Sequence, residues 1–138
     1  MIGIVIVAHG GLAREFLSAV EHVVGRQPGI EAIAIAPDDN RAAKEAEICA
    51  AADRVDTGGG VVVATDMFGG SPSNLSLLAC NPRNRQIVFG VNLPMLIKLA
   101  KSRQLPVPEA VRMALAAGRK YIDAFEVQGE VQGRETGT

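Results

Sequence analysis

Aromatic residues and net charge are both scarce in this sequence. There is no tryptophan, phenylalanine and tyrosine together make up 4% of the 138 residues, and the formal net charge is -1 with no basic tract. Proteins that bind nucleic acid or an anionic membrane surface by electrostatics concentrate positive charge. The composition therefore argues against both kinds of partner. The hydrophobic fraction of 48% with 15 glycines predicts an aliphatic core of helices and strands rather than a β-sandwich.

Cysteines and long apolar segments are also few. Cys49 and Cys80 form no CxxC pair and have no neighbouring histidine, so we expect two buried, reduced thiols, as in cytosolic proteins. No apolar run approaches the ~20 residues of a membrane span. The N-terminus lacks the basic region and cleavage site of a secretion signal. Together these absences predict a soluble, cytoplasmic protein with no direct membrane insertion.

Buried strands and helices alternate along the chain. Residues 2–8 form a continuous apolar run, typical of a parallel strand covered on both faces. A helix follows, in which apolar residues recur at helical spacing before a possible C-cap at Gly25: Leu12, Phe16, Val20, Val23 and Val24. Further strands are predicted around residues 33–35, at 61–65 and at 86–91, with a final half-exposed strand at 124–132. A second helix is predicted from an N-cap at Asp38, Asp39 or Asn40 to Val55, and a third from Ser71-Pro72 to Cys80. Two further helices are predicted, one after Asn92 and one at 109–121.

This alternation predicts the fold class. Strands that alternate with helices form βαβ units, which build an α/β, doubly wound, mostly parallel sheet flanked by helices. The length fits a single domain, which we place at residues 1–130. Residues 131–138 are predicted to be a disordered tail.

Residues capable of chemistry follow the predicted strands. His9 ends the first apolar run, Asp66 follows strand 61–65, and Gly69, Gly70 and Ser71 lead into a helix. Because the carboxyl ends of parallel strands share one edge of the sheet, where ligands bind in this class of fold, we expect these residues to lie close together.

Their combined chemistry fits a phosphoryl group. A carboxylate such as Asp66, bonded to one ring nitrogen, fixes the tautomer of His9 and leaves the other nitrogen free as a nucleophile. The glycines allow a ligand close to the backbone, and the N–H groups of a helix that starts at Ser71 favour an anion. Taken singly, a capping or packing role explains His9 or Asp66 equally well, and a plain N-cap explains Ser71 better. Their joint placement favours the functional interpretation.

Three blocks in order, IVIVAHGGLAREFL, VVVATDMFGGSPSNLSLL and VFGVNLPMLIKLA, resemble the enzyme IIA domain of the mannose/fructose/sorbose family of the bacterial phosphoenolpyruvate-dependent sugar phosphotransferase system (PTS). The resemblance extends over residues 1–130. It implies a phosphotransferase in which His9 is transiently phosphorylated and Asp66 orients it. Ser71 and the amides of Gly69 and Gly70 would bind the phosphoryl group.

The same resemblance implies the partners. The donor would be the phosphocarrier protein HPr and the acceptor an enzyme IIB, with no metal or nucleotide cofactor. The last strand would be exchanged between the subunits of a homodimer. Many relatives continue through a linker into IIB, whereas this sequence ends, so we expect a separate IIB acceptor, or a phosphorylation state that is itself a signal. Which sugar is transported, if any, lies outside this chain.

Other interpretations remain open at this level. A receiver domain would be phosphorylated on Asp66, but it needs an acidic pair after the first strand to hold Mg²⁺. The phosphocarrier subunit of dihydroxyacetone kinases shares the fold and opens with a similar histidine, although DMFGGSPSN favours the sugar-system type. His9, Asp66 and Ser71 also make up a hydrolase-like set without the G-x-S-x-G elbow. Neither nucleotide-binding glycine motif occurs.

Several other polar residues are expected to play structural or solvated roles. His22 lies off the apolar stripe of the first helix and is expected to be solvated. We expect Asp38 and Asp39 to cap the second helix, and Arg83 and Arg85 to be solvated, with contact to an acidic partner as the alternative. Asn92 fits either turn formation or the lining of a partner-docking cleft.

Overall fold

The computed structural model describes residues 1–67 and 83–127. The described elements follow the predicted order. In chain order they are β1 (Gly3–His9), α1 (Leu12–Val24), β2 (Ile30–Ile35), α2 (Arg41–Val55), β3 (Val61–Thr65), β4 (Arg85–Val88), α3 (Leu93–Ala100) and α4 (Val107–Lys120). The predicted helix after Ser71 and the predicted tail at 131–138 lie outside the described residues, as does Cys80.

The strands form one parallel sheet in the order β2-β1-β3-β4, with helices on both faces. Successive side chains of a strand point to opposite faces. Accordingly, Ile4 and Ile6 of β1 lie in a core with α1, α3 and α4, whereas Val5 and Val7 pack in a second core with α2. The prediction of a doubly wound α/β fold is confirmed. Within the described residues, no helix is long and apolar enough to cross a membrane.

Some predicted details of these elements are wrong. Leu12 and Val23, expected in the apolar stripe of α1, are exposed, and Ala13 is buried in their place. β4 ends at Val88 rather than at residue 91, because Gly90 turns the chain with a φ of 65°, a conformation that favours glycine.

The last predicted strand, 124–132, is not formed in its described part. Residues 122–127 belong to no helix or strand, and residues 128–132 lie outside the described part of the chain. The Ile122 backbone N–H donates to the Arg119 carbonyl at the end of α4 (3.3 Å) rather than to a neighbouring strand. Ile122 and Val127 are left 74% and 92% exposed.

Arg85 was expected to be solvated, and that expectation is wrong. Its side chain is only 5% exposed, and it donates from Nη2 to Asp53 at 2.9 Å and to Asp56 at 3.1 Å. The Gly58 backbone N–H and the Arg85 side chain together lower the pKa of Asp56. The residue therefore joins the start of β4 to the end of α2. Arg83 is exposed, as expected.

A second buried arginine, Arg103, holds together the end of the sheet opposite His9. Its guanidinium donates to the carbonyl oxygens of Ile2 (2.8 Å), Pro28 (2.6 Å) and Gly29 (3.0 Å). Burial lowers the pKa of this group. Five N–H donors in a rigid fork suit such a set of carbonyls, which belong to the two segments that lead into β1 and β2.

Replacing Arg103 with alanine is therefore expected to destabilise the fold by about 3 kcal/mol, because a buried side chain is removed and the carbonyls of Ile2, Pro28 and Gly29 lose a shared donor. Urea unfolding would measure the change. The exposed Arg119 on α4 offers a matched control, for which alanine is expected to alter the free energy of unfolding by no more than about 0.5 kcal/mol. Equal stability of the two variants would contradict this role.

Candidate phosphoryl-transfer site

His9 is the last residue of β1, where the buried apolar run reaches the carboxyl edge of the sheet. The next residue, Gly10, has a φ of 57°, and its N–H donates to the Ile35 carbonyl at the end of β2 (2.9 Å). This turn directs the chain into α1, which starts at Leu12. The His9 side chain remains 49% exposed, so its ring is accessible to a partner molecule.

The strand order places Asp66 beside His9. From β1 the chain runs to β2 on one side and later returns to β3 on the other, so the edge between β1 and β3 is the switch point where doubly wound folds bind their ligands. Asp66 follows β3 directly. Its Oδ2 accepts a hydrogen bond from the His9 backbone N–H at 3.0 Å and lies 3.0 Å from His9 Nδ1.

This contact determines which ring nitrogen is free. A carboxylate only accepts hydrogen bonds, so Nδ1 of His9 must carry the proton that it donates to Asp66. The lone pair of the neutral ring is then on Nε2. Asp66, whose side chain is 11% exposed, holds both the backbone and the ring of His9. The arrangement presents an oriented, accessible nitrogen nucleophile.

A buried threonine, not identified from the sequence, shapes the turn that carries Asp66. Thr65 is fully buried, and its Oγ1 donates to the Met67 carbonyl at 3.0 Å. Its own carbonyl accepts from the Val91 N–H at 3.0 Å, which ties this turn to the segment before α3. A polar residue that ends an otherwise apolar run, VVVAT, is the signal that could have identified it.

The other predicted phosphoryl-binding residues, Gly69, Gly70 and Ser71, lie outside the described residues. Oδ1 of Asp66 is buried and has no hydrogen-bond partner among the described part of the chain. Across residues 1–67 and 83–127, no group of three or more His, Cys, Asp or Glu side chains is arranged to hold a metal ion.

Comparison with known proteins identifies the family. A family profile described as "PTS system fructose IIA component" (EIIA-man) matches residues 3–115, most of the chain. The chain belongs to the mannose-type enzyme IIA family of the phosphotransferase system. The resemblance noted in the sequence is thereby confirmed.

Individual relatives agree with this family. The chain is 30% identical over 130 residues, 92% of its length, to the "PTS system mannose-specific EIIAB component" of Escherichia coli K12, and it spans 40% of the length of that protein. It is 31% identical over 98 residues to the "PTS system sorbose-specific EIIA component" of Lacticaseibacillus casei, which covers 70% of each chain. Among solved structures, "phosphotransferase system component EIIA" of Streptococcus agalactiae superposes with a TM-score of 0.79 at 26% identity, covering 90% of this chain and 97% of that one.

The remaining candidate residues of this IIA domain have structural or surface positions. His22 is exposed on α1. Asn40, not Asp38 or Asp39, caps α2 by accepting from the Ala43 N–H, while Asp39 accepts from the Ala36 N–H. Asn92 caps α3 and donates from Nδ2 to the Gly118 carbonyl (2.9 Å), so turn formation explains it.

Cys49 is less buried than expected. It is a free, partly buried thiol on α2, and burial raises its pKa. A raised pKa keeps the thiol protonated and unreactive.

Proposed function

We propose that this chain is a phosphoryl carrier of the sugar phosphotransferase system, phosphorylated on Nε2 of His9. The observation that carries the proposal is the Asp66 carboxylate 3.0 Å from Nδ1, on a ring that is half exposed. Family membership supplies the class of reaction, because enzymes IIA of this system are phosphotransferases that serve sugar uptake.

Phosphoryl transfer to His9 exchanges one P–N bond for another. The Nε2 lone pair of His9 attacks the phosphorus of a donor phosphohistidine, a new P–N bond forms, and the P–N bond to the donor ring breaks. The donor ring leaves with the electron pair of that bond. While the phosphoryl group is on Nε2 and the proton on Nδ1, the ring of His9 carries positive charge, which the Asp66 carboxylate stabilises. Gly69, Gly70 and Ser71 are proposed to bind the phosphoryl oxygens, and no metal or nucleotide takes part.

The proposed partners follow from the family. HPr is the donor and an enzyme IIB is the acceptor, which passes the phosphoryl group on for sugar uptake; a signalling role for the phosphorylation state is the alternative. We also propose that the chain works in the cytoplasm.

Phosphorylation of Asp66, as in a receiver domain, is the competing proposal. The observed geometry favours His9 as the phosphorylated residue. Asp66 is mostly buried and its Oδ2 is engaged with His9, whereas the His9 ring is open to a partner. The acidic pair that a receiver needs after its first strand is replaced here by His9, Gly10 and Gly11. The family match likewise favours a sugar-system IIA domain over the phosphocarrier subunit of a dihydroxyacetone kinase.

The test of this function is reconstitution. The purified chain is mixed with phosphoenolpyruvate, enzyme I and HPr, and the phosphate it carries is measured by intact mass. The proposal predicts one phosphate per chain, dependent on HPr and independent of Mg²⁺ once HPr is phosphorylated. A chain that stays unmodified beside fully phosphorylated HPr would contradict it.

A homodimer formed through the C-terminal segment remains a proposal. Apolar side chains of residues 122–127 are exposed in the single chain, including Ile122 and Val127. The pattern FEVQGEVQ alternates apolar and polar positions, and an unpaired strand would invite aggregation. Pairing this segment with the sheet of a second subunit would cover it, and symmetric dimers are the commonest assembly.

Deletion of residues 124–138 is therefore expected to give a monomer or an aggregating species in analytical ultracentrifugation, because the exchanged strand is gone. Deletion of residues 133–138 alone keeps the predicted strand and should leave the dimer intact. A dimer that survives the longer deletion, or a full-length chain that is monomeric at micromolar concentration, would rule out this interface.

A further inference from the structure

The outer surface of the α3–α4 pair forms a groove that the phosphoryl-transfer site does not use. The two helices approach closely at Gly118, whose carbonyl accepts from Asn92, and a Cβ at this position would lie 3.1 Å from Met95. Between their solvent-facing sides is a cavity of about 580 Å³ with Ile97 and Met113 among the residues that line it. His9 and Asp66 are not part of this lining.

Basic side chains line the α3–α4 groove, with one acidic side chain nearby, Glu109, 4.0 Å from Arg112. Within the described residues, every charged side chain that lines it is basic: Lys98, Lys101, Arg112 and Lys120. The whole chain has a formal net charge of -1, so this concentration of positive charge is local. An acidic partner would be attracted to the groove and oriented there by charge complementarity.

The geometry favours a helix as the occupant. Residues 94, 97 and 98 of α3 and residues 112, 113, 116, 117 and 120 of α4 repeat at helical spacing, and residues 101 and 121 follow directly after the two helices. A third helix can lay apolar side chains into such a groove. The same face of a second copy of this chain is a poor occupant, because a two-fold contact would oppose like charges.

We propose that the α3–α4 groove docks an amphipathic helix of a partner protein, with apolar side chains toward Ile97 and Met113 and acidic side chains toward the four basic residues. This surface lies apart from His9 and therefore extends beyond the phosphoryl-carrier function. It gives the chain a place to be bound while the His9 ring stays accessible.

The test uses a synthetic amphipathic helix as long as α4, with leucines at helical spacing and glutamates on both flanks, and a second peptide in which lysines replace the glutamates. Binding is measured by fluorescence anisotropy, and the binding surface is mapped by amide chemical-shift changes in the full chain. The acidic peptide is expected to shift the amides of α3 and α4. The lysine peptide is expected to bind at least about tenfold more weakly.

Charge reversal in the groove provides the matched comparison. Lys98→Glu combined with Lys101→Glu should weaken binding of the acidic peptide by about tenfold, whereas Arg26→Glu, at an exposed position outside the groove, should change it by less than about twofold. Unfolding curves would verify that each variant is folded. Equal affinity for both peptides, shifts confined to other surfaces, or no binding of the acidic peptide would overturn the proposal. Tight binding to anionic lipid vesicles that the double substitution abolishes would also overturn it, in favour of a membrane surface.

Discussion

Replacing His9 with alanine is expected to abolish phosphoryl uptake from HPr while the protein stays folded. The reaction needs an unprotonated nitrogen at the switch point of the sheet, and the Nε2 lone pair of His9 is the group proposed to supply it. Because the His9 ring is 49% exposed, its removal takes little from either core. The measurement is incorporation of phosphate by intact mass, with thermal unfolding as the check on folding.

His22 is the matched control for this experiment. It is the only other histidine of the chain, and it is exposed on α1. His22→Ala should therefore accept phosphate as the unaltered chain does. Label on His9→Ala at the unaltered level, or loss of label in His22→Ala, would refute the assignment of His9.

The second large effect is expected at Asp66. Asp66→Asn keeps the size of the side chain but can present an N–H₂ group to His9 Nδ1, which favours the tautomer with the proton on Nε2. The loss of negative charge also removes the stabilisation of the positively charged phosphohistidine ring. Loss of an orienting aspartate in a comparable His–Asp pair lowers the rate by about 10⁴-fold. We expect transfer to His9 to slow by about 10²- to 10⁴-fold, measured by rapid quench with phosphorylated HPr.

Asp38→Asn serves as the control for Asp66→Asn. Asp38 is exposed, and its substitution removes the same negative charge. Its transfer rate should equal that of the unaltered chain, and both variants should unfold at nearly the same urea concentration. Unchanged kinetics in Asp66→Asn would mean that the aspartate only accepts the His9 backbone N–H, and its role as the orienting group would be lost.

The sheet and the His9–Asp66 pair were predictable from the sequence because both depend on local patterns. Residues 2–8 and 61–64 are apolar throughout, since strands in a doubly wound sheet are covered on both faces. A polar residue that ends such a run falls at the carboxyl edge of the sheet. Two runs that end this way, at His9 and at Asp66, are therefore brought to the same edge.

The arginine contacts could not be predicted in this way. Arg85 is buried because Asp53 and Asp56 lie at the far end of α2, and Arg103 is buried because three loop carbonyls converge on it. Such partners are distant in sequence, and no periodicity indicates them. The exposure of Val23 likewise depends on how neighbouring segments pack. The early end of β4 has a local cause, the turn at Gly90.

The phosphoryl group is proposed to be carried on Nε2 of His9. The most direct measurement is to phosphorylate the chain through phosphoenolpyruvate, enzyme I and HPr, and then to locate the phosphate by peptide mass mapping and phosphorus NMR. We predict a phosphohistidine signal of the Nε2 isomer on the peptide that contains His9, lost in acid and stable in alkali, where an acyl phosphate on Asp66 would be hydrolysed. A hydroxylamine-sensitive, Mg²⁺-dependent label on the peptide that contains Asp66 would contradict it.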